Sequence, residues 1–211
     1  MSRWKIFLLY PLSLTLLLAD FCKYFVGPNK TAIAQFVIKL NVWYLWVTFV
    51  ATFIMFVLDY FVPLNIGGGY QSVVLFLLAL YAFFRCNEIF FAFVCDATDH
   101  LRPNEHATDL KYYQRIKLAM RSYLELILAY GLVFRAISQF WGGFCPPLDI
   151  QSAVYLSGIT IATIGYGDIY PTNLVARLMT IYEFLNGIAL IVVSFTVYVS
   201  RSIAAKEFKK G

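Results

Sequence analysis

The chain has 211 residues, of which 61% are hydrophobic and only 14% are charged. A soluble domain of this size cannot bury so much apolar surface, so the composition excludes a soluble globular protein and predicts an integral membrane protein. The 17 Lys and Arg residues against 12 Asp and Glu give a net charge of +5. Because these charges lie between apolar runs rather than on one face, they argue against nucleic acid binding.

Five apolar stretches are long enough to cross roughly 30 Å of hydrocarbon as helices. They cover residues 4–26, 36–62, 71–95, 116–140 and 173–199. Backbone groups in lipid must be hydrogen-bonded within their own segment, so each stretch is predicted to be α-helical. The predicted fold class is therefore an all-α integral membrane protein that contacts the lipid bilayer along most of its length.

The polar segment 96–115 is predicted to be a solvated cytoplasmic linker. It holds both histidines, His100 and His106, together with several carboxylates, but their spacing matches no zinc-ligand pattern. The four cysteines, at positions 22, 86, 95 and 145, likewise form no CxxC pair or Cys/His pair. We therefore expect a free thiol at Cys145, with a disulfide between chains as the alternative.

Lys and Arg residues collect on the cytoplasmic side of membrane proteins. In this chain they flank the start of the stretch 116–140 and follow the stretch 173–199, which predicts a cytoplasmic C-terminus. Five crossings would then place Met1 outside, although Arg3 and Lys5 favour the inside. A bent helix at 4–26 that lies in the membrane interface is the alternative to a crossing there.

A shorter apolar run at 148–162 precedes the last stretch. Pro146, Pro147 and Asp149 mark its start as a helix. At ~15 residues it is too short to span, so we predict that it enters the membrane and returns through the next residues. Non-helical backbone at that depth is stable only where it is buried in protein or lines water.

The residues that follow this short run carry a family motif, which reads Thr160-x-x-Thr163-Ile164-Gly165-Tyr166-Gly167-Asp168. Placed between two hydrophobic helices, it resembles the selectivity filter of potassium channels. The resemblance implies that residues 163–167 bind K⁺ as the permeant ion, chiefly through rings of oxygens at 163–166. The two glycines can take positive φ, which would let consecutive carbonyl groups point in one direction.

The resemblance also implies an assembly and a division of the chain. One chain has one pore loop, so four copies are expected to form a homotetramer. Residues 116–200 resemble an outer helix, pore helix, filter and inner helix, preceded by about three N-terminal membrane helices of unknown role in 1–95. Residues 201–211 would form a short cytoplasmic tail.

The short helix departs from the family pattern. Family members often carry two tryptophans and a glutamate there, where this chain has Tyr155, Leu156 and Ile159. Since only Tyr155 retains a polar group, we expect it to support the filter together with Thr160 and Asp168. How the outer mouth of the filter is held is left open by this difference.

Four residues of the last stretch are candidates for gating or for lining the cavity. Gly187 is predicted to be either a hinge or a site of close helix packing. Glu183 is expected either to bond behind the filter or to titrate during gating. Ser194 and Thr196 would line the cavity or bond back to their own helix.

Ionisable residues within apolar spans are costly and usually face the protein interior. Six occur here, at Asp59, Arg85, Glu88, Glu125, Arg135 and Glu183. One-turn spacing predicts the pairs Arg85–Glu88 and Arg121–Glu125. Since Arg or Lys does not recur at every third position, a voltage-sensing helix is not expected.

These patterns together predict a potassium-selective channel in the plasma (cell inner) membrane. No catalytic constellation or cofactor motif is recognisable, so an enzyme is not expected. One alternative is a potassium transporter subunit, although such proteins usually carry four degenerate pore loops in one chain. The other is a non-conducting accessory membrane protein.

Overall fold

The computed structural model describes residues 29–61, 69–101 and 110–191. The helices are α1 (Lys30–Phe61), α2 (Gly69–Leu101), α3 (Tyr112–Trp141), α4 (Ile150–Ile161) and α5 (Leu174–Ile188). Two short antiparallel strands, β1 (Phe144–Cys145) and β2 (Tyr170–Pro171), pair with Phe144 opposite Pro171. The fold is therefore essentially all-α, as predicted.

Four of these segments are long and apolar enough to cross a membrane. They are α1, α2, α3 and α5 with its π-helical extension to Ile191, whereas α4 has only 12 residues. The chain is thus a multi-pass membrane protein with one short additional helix. The predicted stretch 4–26 lies outside the described residues, as do Ser194 and Thr196.

Both ends of the predicted linker at 96–115 are helical. Helix α2 continues to Leu101, because no glycine or proline occurs between residues 96 and 101 to end it. At the other end α3 begins at Tyr112. Arg115 near the start of α3 donates to both carboxylate oxygens of Asp96 on α2, which ties these two helix ends together.

Contacts between helices fix their directions. Asn41 early in α1 donates to Ser122 in the first half of α3 at 2.9 Å, and Asp59 near the end of α1 meets Arg135 late in α3. Helices α1 and α3 therefore run in the same direction. Since the end of α2 lies at the start of α3, α2 runs in the opposite direction.

Helix α3 is the centre of the fold. In its most apolar 18-residue window 67% of residues are buried, against 22% for α1 and 33% for α5, so the other helices pack around it. The fully buried Leu126, Tyr130 and Phe134 form the middle of the apolar core. The short helix α4 lies against α3 on one side and α5 on the other.

The ends of α3, α4 and α5 are set by capping residues. Helix α3 ends at Gly142, whose φ of 59° is a left-handed conformation that favours glycine. Asp149 caps α4 by accepting from the Ser152 N–H at 2.8 Å. Asn173 caps α5 through the Ala176 N–H at 2.9 Å and also donates to the Trp141 carbonyl. The segment between α4 and α5 therefore runs from Ile161, which lies against Gly187 near the end of α5, back to the cap of α5 at Asn173.

Candidate functional site

The segment that follows α4 forms an exposed turn. Residues 162–168 are all solvent-exposed in the single chain, with Ile164 53% and Tyr166 69% exposed. The side chains of Ile164 and Tyr166 and the non-helical backbone around them are thus not covered by the described part of the chain. The predicted filter residues therefore lie on a surface that the chain itself does not cover.

Backbone hydrogen bonds attach the start of this turn to the end of α4. The Thr163 N–H donates to the Thr160 carbonyl at 3.0 Å, and the next two N–H groups both donate to the Ile159 carbonyl, at 2.8 and 3.3 Å. In a trans peptide group the carbonyl points opposite to the following N–H. The carbonyls of residues 162, 163 and 164 therefore point away from α4.

The backbone angles of the turn alternate in sign. Thr163, Gly165 and Gly167 have φ values of 59°, 59° and 79°, while the residues between them have no positive φ. In a strand with uniformly negative φ successive carbonyls alternate between opposite sides. Reversing the sign at every second residue lets successive carbonyls share one side. Positive φ was predicted for both glycines but not for Thr163, because a β-branched residue rarely adopts it.

The end of the turn is held by a side-chain contact with α4. The Tyr155 hydroxyl donates to Asp168 Oδ2 at 2.9 Å. This bond raises the pKa of the Tyr155 phenol above its ordinary value, because only the neutral hydroxyl can donate to the carboxylate and the bond therefore stabilises the protonated form. The structure thus brings together the three residues predicted to surround the filter: Tyr155 and Asp168 through their side chains, and Thr160 through its carbonyl.

Glu183 lies behind α4 and is completely buried. The Ser157 hydroxyl of α4 donates to Glu183 Oε1, while Glu183 Oε2 has no hydrogen-bond partner among the described residues. The carboxyl group therefore bonds to the short helix α4. Both alternatives for Glu183, support of the filter and titration during gating, stay predictions. Ser157 was not singled out from the sequence, because no spacing rule relates residues on two different helices.

Gly187 makes a close approach to the end of α4. A Cβ atom at this position would lie 2.7 Å from Ile161 Cγ1 and 3.3 Å from the Ile161 carbonyl oxygen. Only a residue without a side chain allows α5 to come so near. The contact favours the packing interpretation of Gly187 over the hinge interpretation.

Amide side chains fasten α5 to its other neighbours. Asn186 donates to the Tyr130 hydroxyl on α3 at 2.7 Å, and the Tyr182 hydroxyl donates to Asn87 on α2. Asn186 also donates to the Tyr182 carbonyl at 3.0 Å. Tyr182 and Asn186 thus face the protein and hold α5 against α2 and α3.

Arg85 is the centre of a buried charged cluster between α2 and α3. It lies 2.5 Å from Glu88 and 2.8 Å from Glu125, and its guanidinium stands 3.7 Å from the centre of the Tyr44 ring. The predicted Arg85–Glu88 pair is confirmed. The predicted Arg121–Glu125 pair was wrong, because Glu125 faces α2 and pairs with Arg85 instead.

A second buried pair joins α1 to α3 and α4. Asp59 accepts from Arg135 Nε at 2.9 Å and from Arg135 Nη2 at 3.0 Å, and it also accepts from the Ile150 N–H at 2.9 Å. Both ionisable residues were expected to face the interior. Their pairing was not predicted, since the two residues are 76 positions apart in the chain.

Comparison with known proteins identifies the second half of the chain. Residues 122–203, which include most of α3 and all of α4, the turn and α5, match the family model described as "Ion channel". This part of the chain is similar to ion channel domains. It belongs to a multi-pass membrane protein whose first two described helices lie outside the matched region.

Two potassium channels share part of the sequence. The voltage-gated potassium channel Kch of Escherichia coli (strain K12) is 42% identical over 55 residues, which are 26% of this chain and 13% of that protein. The calcium-activated potassium channel slo-1 of Caenorhabditis elegans is 44% identical over 54 residues, 25% of this chain and 5% of that protein. The alignments thus span a small part of either relative. No solved structure matches the chain significantly.

Proposed function

We propose that the protein is a potassium-selective channel that conducts K⁺ passively through a pore at the centre of a homotetramer. The oxygens of Thr163, Ile164, Gly165 and Tyr166 from four chains would form successive rings, with Gly167 completing the turn. Such rings replace the hydration shell of the ion, while weak binding at several sites allows it to move on. K⁺ is the permeant ion in this proposal, and no cofactor is required.

The observation that carries the proposal is the backbone geometry of the exposed turn. Three amides are directed back to α4, three carbonyls are directed away from it, and φ alternates in sign through Gly167. Within one chain, no backbone N–H of the described residues donates to this row of acceptors. Identical turns from other copies, arranged around an axis, would convert that row into a cation path.

The exposed face of α5 supports assembly. The side chains of Leu174, Leu178, Ile181, Leu185 and Ile188 recur at spacings of three and four residues, and each is at least 36% exposed. Glu183 and Asn186 of α5 are buried on the opposite face. In a membrane protein such an apolar face contacts lipid or another subunit.

The proposed orientation follows from the helix directions. The starts of α1 and α3 lie at the same end of the bundle, and that end carries Lys30, Lys39, Arg115 and Lys117. Positive residues favour the cytoplasmic side, so the other end, where α3 ends and α5 begins, would face the outside. We place the protein in the plasma (cell inner) membrane with a cytoplasmic C-terminus.

Ion flux into liposomes tests this function directly. The purified full-length protein should admit K⁺ much faster than Na⁺, and barium should block the K⁺ flux. Absence of any flux would contradict the proposal and favour an accessory role. Flux that saturates and requires a coupled ion would instead favour a transporter subunit.

A matched pair of glycine variants isolates the role of the filter. Gly165 and Gly142 both have φ of +59°, and a Cβ added at either position would meet no atom within 4 Å, so Gly→Ala introduces the same backbone strain at each. That strain costs about 1–2 kcal/mol in either variant. We expect Gly165→Ala to abolish selective K⁺ flux and Gly142→Ala to retain it. Equal flux in the two variants would exclude the turn as the conduction site.

A further inference from the structure

We propose that Asp59 of α1 is a positioning residue for the filter, acting through the first turn of the short helix α4. The inference rests on the proposed channel function. It assigns a role to the N-terminal helices, which lie outside the matched ion channel domain. The Asp59 carboxylate accepts three hydrogen bonds, from α3 and from α4.

Asp59 Oδ2 accepts from two donors at once, the Ile150 N–H at 2.9 Å and Arg135 Nε at 2.9 Å. Its other oxygen accepts from Arg135 Nη2 at 3.0 Å. The two charged side chains are only 8% and 2% exposed. Charge-assisted bonds in such a dry environment are shorter and stronger than bonds between neutral groups.

Ile150 is the first residue of α4, where the backbone N–H groups have no acceptor within the helix. Asp149 already accepts from the Ser152 N–H at 2.8 Å, which leaves the Ile150 N–H to be satisfied from elsewhere. Asp59 supplies that acceptor from a different helix. Its negative charge also lies at the positive end of the α4 dipole, where it is favourable.

The opposite end of α4 holds the filter turn. Helix α4 is only 12 residues long, and the carbonyls of its last turn accept from the amides of residues 163–165. A displacement of its first turn is therefore passed to the turn through a short, continuously hydrogen-bonded helix. Asp59 thus fixes one end of the element whose other end shapes the conduction path.

The ion pair with Arg135 and the bond to Ile150 can be separated by mutation. Asp59→Asn with Arg135→Met removes both charges but keeps a side-chain oxygen that can accept from the Ile150 N–H. Asp59→Leu with Arg135→Met removes the charges and the acceptor. Neither double variant leaves an unpaired buried charge, so both are expected to fold.

The two double variants are compared as full-length protein in liposomes, by the ratio of K⁺ to Na⁺ permeability. We expect the Asn variant to keep a ratio within about twofold of the wild type, because the cap on α4 is retained. The Leu variant should lose about tenfold in this ratio, which corresponds to ~1.4 kcal/mol. Equal ratios in the two variants would overturn the role of Asp59 at Ile150.

Hydrogen exchange provides a readout that does not depend on conduction. The first-turn amides of α4 should exchange faster in the Leu variant than in the Asn variant, and unchanged exchange would also overturn the inference. Wild-type protein without K⁺ flux would contradict the channel function alone. If the Leu variant is not recovered folded, Asp59→Ala with Arg135→Met repeats both measurements.

A matched control comes from the buried charged cluster around Arg85. Arg85→Met with Glu88→Gln and Glu125→Gln removes a charged contact between α2 and α3 that does not touch α4. We expect this variant to keep the wild-type permeability ratio and the wild-type exchange of α4. A loss of selectivity as large as that of the Leu variant would mean that any weakened helix contact disturbs the filter.

Discussion

The two N-terminal helices, α1 and α2, and the three helices that follow them, α3, α4 and α5, are held by different kinds of contact. Helices α1 and α2 meet α3 through three ion pairs: Asp59 with Arg135, Arg85 with Glu125 and Asp96 with Arg115. The described polar contacts among α3, α4 and α5 include the hydrogen bond of Ser157 to Glu183 and that of the Asn186 amide to Tyr130. Gly187 adds a close approach of α5 to α4.

This difference predicts how each region responds to mutation. Breaking one partner of a buried ion pair leaves an uncompensated charge, which is more costly than the loss of a bond between neutral groups. Close packing fails instead through steric overlap, which neighbouring side chains can partly relieve. The boundary with the N-terminal helices should therefore be the more sensitive one to single substitutions of its polar residues.

The largest effect is expected for Arg85→Met. The change leaves Glu88 and Glu125 without their cation in a buried site, which should lower the free energy of unfolding by about 3 kcal/mol or more. Thermal unfolding of the protein in detergent measures this. Adding Glu88→Gln and Glu125→Gln should restore most of the loss. Wild-type stability of Arg85→Met alone would show that charge does not hold this boundary.

An intermediate effect is expected for Ser157→Ala. The substitution removes the described hydrogen-bond partner of the buried Glu183 carboxyl group, at a cost of about 2 kcal/mol. Ser152→Ala on the same helix is the control, because its backbone N–H rather than its hydroxyl makes the bond to Asp149. Unfolding in detergent should distinguish the two variants. Equal stability would show that the Ser157 bond contributes nothing.

The smallest net effect is expected for Gly187→Ala. Overlap with Ile161 destabilises the contact, but alanine is about 1 kcal/mol better than glycine within a helix, so the net loss should be about 1 kcal/mol. We also expect Gly187→Ala to lower the K⁺ flux of the proposed channel. If Gly187 serves packing, adding Ile161→Ala should restore this flux by opening space for the methyl group. If it serves as a hinge, flux should stay impaired in the double variant.

Hydropathy alone located the four described spanning helices and the short helix, because apolar length and turn residues act locally. The one-turn spacing rule gave one correct ion pair, Arg85–Glu88, since residues one turn apart on a helix are neighbours. The same rule failed for Arg121–Glu125, because Glu125 is directed to another helix. Contacts such as Asp59 with Ile150 depend on how helices are aligned in space, which no spacing in the sequence records.

The motif located the turn, and the glycine pattern anticipated two of its three positive φ values. The positive φ of Thr163 was not predicted, because hydrogen bonds to the end of α4 impose this conformation against the preference of a β-branched residue. The roles of residues 163–167 in binding ions stay predictions. The same holds for the domain limits at 95, 115 and 200.

The bonds between the turn and α4 lie within one chain, which bears on how copies would associate. The first residues of the turn acquire their dihedral angles when the monomer folds, so their conformational entropy is lost at that stage. In the proposed tetramer the subunits would meet with these central residues already ordered. Because these residues do not have to be ordered when the subunits associate, less of the binding free energy is lost to their ordering.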